Sequence, residues 1–156
     1  MSLSREELLM KLEAFCAYQE RCNSEVIAKL RSWKVSGKDD DFLISSLKEK
    51  GFLDDFRYLE SFVSGKFRIK KWGRSKIRQG LYAKGFGRDA VEKALAAIDS
   101  NEYWNALYQL AERKVAEIRT KGNLDFKEKM KVLRYLAQKG YEYDLVSDVV
   151  EQLLKE

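Results

Sequence analysis

The chain has 156 residues, of which 45% are hydrophobic and 35% are charged, and its formal net charge is +5. It contains no proline, no histidine and only two cysteines, which excludes histidine-dependent catalytic triads and a four-ligand zinc site built from cysteine and histidine. No apolar run reaches the roughly 18 residues that a membrane-spanning helix needs, and the N-terminal residues lack the apolar core of a signal peptide. We therefore expect a cytoplasmic protein with reduced cysteines.

Apolar residues recur at helical spacing along the whole chain, which predicts nine helices and no strand. Ser4 and Glu7 have the spacing of a capping box and open a first helix that we expect to end near Cys22. Ser24 is in place to cap the second helix. The third helix starts at the acidic residues 39–41, where the positive end of a helix favours negative charge.

The later helices have similar boundary signals. The fourth starts at Asp54, and Gly73 separates it from the fifth. The fifth and the eighth end in matching Lys-Gly-aromatic triplets, at 84–86 and 139–141, as expected for glycine C-caps. The predicted capping pairs of the sixth, seventh and eighth helices are Asp89 with Glu92, Asp99 with Glu102, and Asp125 with Glu128.

The nine helices group into three repeats of three helices each. A pattern in the second repeat recurs 55 residues later in the third: Ile77, Leu81, Lys84, Gly85 and Phe86 match Val132, Leu136, Lys139, Gly140 and Tyr141. A repeat of about 50 residues predicts an all-α fold of three tandem three-helix repeats, stacked into an elongated, curved array. The expected boundaries are residues 1–53, 54–99 and 100–156.

Positive charge is concentrated in residues 61–88, a stretch that we call the basic segment. It contains nine basic residues and no Asp or Glu, and it accounts for the whole positive excess of the chain. A local field of this kind steers an anionic partner, and Arg or Lys beside an aromatic ring suits phosphates and unstacked bases. The candidate partner-binding or nucleic-acid-binding residues are Lys66, Arg68, Lys70, Lys71, Trp72, Arg74, Lys76, Arg78 and Tyr82.

Three of these candidates form a line on the fifth helix. If Ile77 and Leu81 face the core, Arg74, Arg78 and Tyr82 follow one another at intervals of four residues beside them, partly exposed. We therefore expect that reversing the charges of Arg74 and Arg78 abolishes binding of the anionic partner and leaves the fold intact.

A second interpretation of the basic segment stays open. A run of cations is often a solvated helix face whose counter-charges come from other helices. Tryptophan is also more often a core anchor than a binding platform, although Trp72 is flanked by Lys70, Lys71 and Arg74.

Two other charged clusters are weaker candidates. Residues 113–134 hold eight basic residues against three acidic ones. The acids at 39–41 and 54–55 are typical of helix starts, which we prefer to a metal site. No arrangement of residues suggests catalysis, so we predict no enzyme, no metal and no cofactor.

Three short stretches in the middle of the chain carry a specific pattern. They are Asp54-Asp55-Phe56-Arg57-Tyr58, Trp72-Gly73-Arg74-Ser75-Lys76-Ile77 and Leu81-Tyr82-Ala83-Lys84-Gly85-Phe86. This pattern resembles the RecX family of recombinase regulators, whose motif is roughly D-D-x-R-[YF] followed by G-x-x-[KR]-I-x-x-[ED]-L-x-x-K-G. Residues 24–30 and 47–55 also look like the first repeat of that family. Gly80, where the family usually has an acid, and Leu59, where it usually has alanine, depart from the pattern but disturb neither the core nor the basic segment.

The resemblance implies a bacterial, cytoplasmic protein of three three-helix repeats that does no chemistry. Such proteins bind the RecA recombinase, particularly its filament on single-stranded DNA, and restrain it in DNA repair, homologous recombination and the SOS response. We expect a monomer with no membrane partner. The alternative is an autonomous helical nucleic-acid-binding protein whose basic segment contacts DNA directly.

The repeat alignment makes a prediction about Tyr141, which takes the position after the eighth helix that Phe86 takes after the fifth. If both rings anchor their repeats, Tyr141→Asp buries a charge and lowers the melting temperature of the third repeat. Thermal unfolding followed by circular dichroism measures this. An unchanged melting temperature would mean that Tyr141 is exposed and the alignment is wrong.

Overall fold

The computed structural model describes residues 3–119 and 122–155, and within those ranges it contains nine α-helices and no strand. The all-α prediction is therefore confirmed. None of the helices in these ranges is both long enough and apolar enough to cross a membrane. The helices are α1 (Arg5–Tyr18), α2 (Asn23–Ser32), α3 (Asp40–Glu49), α4 (Asp55–Arg68), α5 (Arg74–Ala83), α6 (Arg88–Leu95), α7 (Ser100–Ile118), α8 (Phe126–Gln138) and α9 (Tyr143–Lys155).

Several helices start at the positions that their capping residues led us to predict. At α1 the Glu7 amide donates to Ser4 Oγ at 3.2 Å, and the Ser4 amide donates back to Glu7 Oε1 at 3.1 Å. The same reciprocal arrangement joins Asp125 and Glu128 at the start of α8. At α7 the Asp99 carboxylate accepts from the amide three residues later, at 2.9 Å. These local signals are reliable because donor and acceptor lie within one turn of each other.

The junction of α1 and α2 differs from the prediction. Helix α1 ends at Tyr18 and not near Cys22, which instead has an extended backbone and precedes α2. The Cys22 amide donates to Glu25 Oε1 at 3.0 Å, so Glu25 caps the helix from within its first turn. Ser24 is not the cap, because its hydroxyl donates to the Lys84 carbonyl oxygen at 2.9 Å.

Two further expectations are corrected. Helix α6 begins at Arg88, so Asp89 belongs to its first turn and is not the residue before it. On α4, helical spacing groups Phe56 with the apolar Leu59 and Val63, but Phe56 is 68% exposed, whereas Tyr58 is buried. The Tyr58 ring stacks on Phe86 with 5.5 Å between ring centroids, which explains why the buried face includes this position.

The described chain divides into two compact units, and the division falls within α4 and within α5. The first unit contains the residues up to Phe62 together with Leu81–Gly87, and the second contains Val63–Gly80 and the residues from Arg88 onward. Both cysteines of the first unit are buried free thiols, as predicted. The first core contains Leu8, Leu12, Cys16, Val26, Leu30, Leu43, Leu47 and Leu53. The buried residues of the second unit include Phe67, Ile77, Tyr103, Leu107, Val132, Leu136, Tyr141, Val146 and Val150.

In the second unit, the turn after α8 lies directly against the start of α5. The Gly73 amide donates to the Lys139 carbonyl oxygen at 2.7 Å, and the Ser75 amide donates to the Gly140 oxygen at 2.9 Å. A Cβ atom at Gly73 would lie 2.4 Å from the Gly140 carbonyl carbon, and one at Gly140 would lie 2.5 Å from the Cβ of Lys76. Gly140 also has a φ of 101°. Only glycine lets the two backbones approach this closely.

We predict that Gly73→Ala lowers the free energy of unfolding by about 1–3 kcal/mol, because main-chain atoms must move to admit the methyl group. Urea unfolding measures the loss. The matched control is Gly65→Ala in α4 of the same unit, where a Cβ atom would meet nothing within 4 Å. Helix propensity predicts that this control gains up to about 1 kcal/mol. A similar loss in both variants would argue against the backbone contact.

Candidate nucleic-acid interface

The candidate binding residues lie on α4, on α5 and on the connection between these helices. Eight of them, from Lys66 to Arg78, belong to the second unit. Tyr82 belongs to the first unit, and its side chain is 42% exposed. The eight residues of the second unit differ in what their side chains contact, and these contacts separate the cations that support the fold from those that face solvent.

The connection between α4 and α5 presents two lysines. Lys71 has a φ of 61°, a left-handed conformation that is uncommon outside glycine. The connection is fixed through its main chain, because the Tyr141 hydroxyl donates to the Lys71 carbonyl oxygen at 3.0 Å and Lys139 Nζ donates to that of Lys70 at 3.2 Å. The side chains of Lys70 and Lys71 are exposed, as is that of Ile69. Their ammonium groups are therefore held near a fixed backbone and face solvent.

Trp72 is half-buried and is surrounded by cations. Lys66 Nζ lies 4.8 Å and Lys76 Nζ 4.6 Å from the centroid of its ring. The Trp72 amide donates to the Lys66 carbonyl oxygen at 2.9 Å, which joins the connection to the last turn of α4. These cation–π contacts concentrate two positive charges at one ring.

Arg74, in contrast, is held within a polar cluster of the second unit. Its side chain is 24% exposed, and its guanidinium lies 3.8 Å from the Tyr103 ring centroid and donates to Glu142 Oε2 at 2.9 Å. Its amide donates to the Tyr103 hydroxyl oxygen at 2.9 Å, and the Tyr103 hydroxyl donates to the other oxygen of Glu142. Arg74 therefore supports the fold, which sequence reasoning missed because Tyr103 and Glu142 are distant in the chain.

The protonation states of this cluster follow from its contacts. Burial alone would raise the pKa of the Glu142 carboxyl, but the hydrogen bonds from Tyr103 and Arg74 outweigh burial and lower that pKa below its ordinary value. Burial, together with the hydrogen bond to Glu142, raises the pKa of the Tyr103 hydroxyl. At neutral pH Glu142 is ionised and Tyr103 is a donor, so the cluster is electrostatically complementary.

Arg68 and Arg78 also face acids. Arg78 Nε donates to Glu92 Oε1 at 2.6 Å and its Nη2 to the second oxygen at 3.3 Å. The hydrogen bond from Arg78 lowers the pKa of Glu92. Arg68 Nη2 lies 3.6 Å from Glu102 Oε2 in a more exposed pair. Surface pairs of this kind contribute little to stability, so both arginines can exchange a carboxylate for a phosphate at small cost.

These ion pairs bear on the second interpretation of the basic segment, in which its cations have counter-charges on other helices. The basic segment has no acid of its own, but α6, α7 and the connection before α9 supply one carboxylate to each of Arg78, Arg68 and Arg74. Charge reversal at Arg74 would place a carboxylate against Glu142, so we expect this substitution to destabilise the fold, unlike the expectation from the sequence.

Comparison with known proteins matches two parts of the chain to family models. Residues 54–95 match the second three-helix domain of RecX, and residues 101–150 match the third. The regulatory protein RecX of Clostridium botulinum (strain Alaska E43 / Type E3) is 40% identical over 124 residues, which cover 77% of this chain and 57% of the relative. The chain thus spans little more than half the length of that relative.

Solved structures agree with the fold. The crystal structure of RecX from Lactobacillus salivarius superposes with a TM-score of 0.82 at 23% identity and covers 96% of both chains. A second crystal structure, of a regulatory protein RecX, gives a TM-score of 0.85 at 20% identity over 94% of this chain and 73% of the other. The prediction of an all-α fold of three-helix repeats is confirmed.

We predict that Glu142→Gln destabilises the protein near neutral pH and does so less in acid. Because the pKa of Glu142 is lowered by folding, the ionised carboxylate stabilises the folded state above its ordinary pKa of 4.5, and this contribution is lost as the pH falls through the folded pKa. Urea unfolding of both proteins at about pH 7 and about pH 3 tests this prediction.

The control is Glu112→Gln, which changes an exposed carboxylate on α7 of the same unit and should alter stability little at either pH. If the Glu142→Gln difference is the same at both pH values, the carboxylate is not the stabilising species.

Proposed function

This chain belongs to the RecX family, and we propose that it binds the RecA recombinase, in particular its filament on single-stranded DNA, and restrains the activity of that filament. The observation that carries the proposal is the match of residues 54–95 and 101–150 to two RecX three-helix domains. Curated relatives carry the name of regulatory proteins. We accordingly propose action by binding, without catalysis or a cofactor, as a monomer in the bacterial cytoplasm, in DNA repair, homologous recombination and the SOS response.

Within the basic segment we propose Lys70 and Lys71 as the main contacts with the filament. Their side chains are exposed, while their carbonyl groups hold the connection in place. Lys66 and Lys76 add charge around Trp72. A main chain that is already held in place loses less conformational freedom on binding than a freely moving one, which favours contact with a rigid, regular partner.

Arg68 and Arg78 are secondary contacts in this proposal, because each must first leave a carboxylate. Arg74 is assigned to the fold, and Tyr82 is an exposed ring that stays a candidate of the first unit. At about 0.1 M salt the Debye length is about 10 Å, so exposed charges farther apart than this are largely screened. These cations therefore act mainly on anionic groups of a partner that lies close to them.

The second candidate function is direct binding of single-stranded nucleic acid by the same lysines, without an obligatory protein partner. The exposure of Lys70 and Lys71 favours it, since nothing in their geometry distinguishes a phosphate from a carboxylate. The two functions differ in whether the recombinase increases the affinity for the strand.

We predict that Lys70→Glu with Lys71→Glu abolishes binding to recombinase-coated single-stranded DNA without changing the melting temperature. The matched control is Lys34→Glu with Lys38→Glu in the first unit. It makes the same change in charge at exposed lysines, and Lys34 has nearly the same left-handed backbone, with a φ of 64°. Fluorescence anisotropy of labelled DNA measures binding, and the DNA-dependent ATPase of the recombinase measures restraint.

The wild-type protein and the Lys34/Lys38 variant should bind the coated strand and lower the ATPase, whereas the Lys70/Lys71 variant should do neither. Binding of bare strand as tight as that of coated strand, with no effect on the ATPase, would favour the second candidate function. Full activity of the Lys70/Lys71 variant would refute the contact assignment. ATP hydrolysis by the purified chain that disappears on substitution of Asp55 would overturn the regulatory proposal.

A further inference from the structure

A second positively charged surface lies on α7 and α8, outside the basic segment. An open groove between these helices is lined by Lys114, Ile118, Lys131, Arg134, Tyr135 and Gln138. This lining contains three cations and no carboxylate. Lys131 and Arg134 are exposed, and so is Lys127, which precedes Lys131 by one turn of α8.

The cations of this surface differ in their freedom. Lys114 is oriented by the protein, since its Nζ lies 4.6 Å from the Tyr135 ring centroid and 3.3 Å from Glu117 Oε1. Over residues 3–119 and 122–155, neither Lys131 nor Arg134 forms an ion pair. These two are therefore better placed to bind an external anion than Arg68, Arg74 and Arg78 of the basic segment, each of which already faces a carboxylate.

An aromatic and apolar line runs beside these cations on α8. Phe126, Met130 and Arg134 follow one another at intervals of four residues and so lie on one face of the helix. The Phe126 ring is 80% exposed and Met130 is also exposed. An exposed ring next to Lys127 is a platform on which an unpaired base can stack, and such a base is available in a single strand but not within a duplex.

The charged surface also leads toward the connection between α4 and α5. Lys131, Tyr135 and Lys139 are spaced by four residues, and Lys139 Nζ donates to the Lys70 carbonyl oxygen. At 1.5 Å per residue, the helical path from Lys127 to Lys139 is about 18 Å long. Cations are thus distributed along a path rather than gathered at one point, which suits a partner whose negative charges repeat at regular intervals.

We infer that α8 and the groove beside it bind a single nucleic-acid strand. Lys127, Lys131 and Arg134 contact its phosphodiester groups, Lys114 is positioned by Tyr135 to extend the field, and Phe126 stacks on a base. The ligand chemistry is that of a phosphate backbone, because Lys131 and Arg134 pair with no carboxylate of the described residues and no buried apolar pocket is present in this lining to anchor a protein. The inference is independent of the recombinase proposal, since it requires only bare nucleic acid.

The experiment measures the affinity of the full chain for a bare, fluorescently labelled dT20 strand at several salt concentrations. For Lys131→Gln with Arg134→Gln we expect a loss of affinity of about tenfold or more at low salt. The slope of log affinity against log salt should fall by about 1.4, which corresponds to two phosphate contacts on a single strand. Phe126→Ala should lower the affinity about tenfold with an unchanged slope, because stacking does not release counter-ions.

The matched control is Arg88→Gln with Lys93→Gln on α6, which removes the same charge from the same unit on a helix that also carries Asp89 and Glu92. Its affinity and slope should stay close to those of the wild type. Parallel titrations with rU20 and with a 20-base-pair duplex show whether the strand is DNA or RNA and whether it must be single. All variants alter exposed side chains, and thermal unfolding verifies that they are folded.

Equal losses in the Lys131/Arg134 variant and in the Arg88/Lys93 control would reduce the effect to net charge and overturn the inference. So would unchanged binding by the Lys131/Arg134 variant, or binding of bare strand that depends only on Lys70 and Lys71. Tighter binding of the duplex than of dT20 would exclude the stacking role of Phe126. Failure of the recombinase proposal leaves these outcomes unaffected, because no recombinase is present in the assay.

Discussion

The contact between the backbones of Gly73 and Gly140 determines how the second unit presents charge. It brings the start of α5 against the turn after α8, and three amides there find acceptors within the unit: Gly73 donates to the Lys139 carbonyl oxygen, Arg74 to the Tyr103 hydroxyl oxygen and Ser75 to the Gly140 carbonyl oxygen. A helix N-terminus with free amides is an anion-binding site, but here those amides are occupied. These three amides are therefore not available to an external anion, which favours the side chains near α5 as the anion-binding groups.

The same contact divides the cations into two groups. Arg74 points into the polar cluster with Tyr103 and Glu142, where loss of one charge leaves the other uncompensated. Lys70 and Lys71 are in the preceding connection, whose carbonyl groups are used by Lys139 and Tyr141, so their side chains face solvent. The basic segment is thus partly an internal counter-charge for acids of other helices and partly an exposed surface, and only the exposed part is suited to a partner.

This division shows how far the sequence could predict the molecule. The nine helices, most of the caps and the burial of Tyr141 were predictable because they depend on residues within a few turns or on the repeat pattern. Ser24 was placed wrongly because its hydroxyl bonds to Lys84, 60 residues away. The ion pair of Arg74 could not be predicted because Glu142, 68 residues away, is not visible in the local pattern. Local signals specify helices, whereas the role of each cation depends on contacts that only the fold creates.

The repeat pattern explains why glycine is required at one of these contacts. Each unit docks a Lys-Gly-aromatic ending against an earlier helix start, and an aromatic pair closes it, with 5.5 Å between Tyr58 and Phe86 in the first unit and 5.1 Å between Tyr103 and Tyr141 in the second. Two helix-start residues of the second unit, Gly73 and Ser75, correspond to Cys22 and Ser24 of the first. In the first unit the ending is bound by the Ser24 hydroxyl, and Cys22, at the position of Gly73, carries a buried side chain. In the second unit, where glycine lets the backbones approach, main-chain hydrogen bonds from Gly73 and Ser75 take the place of this side-chain hydrogen bond.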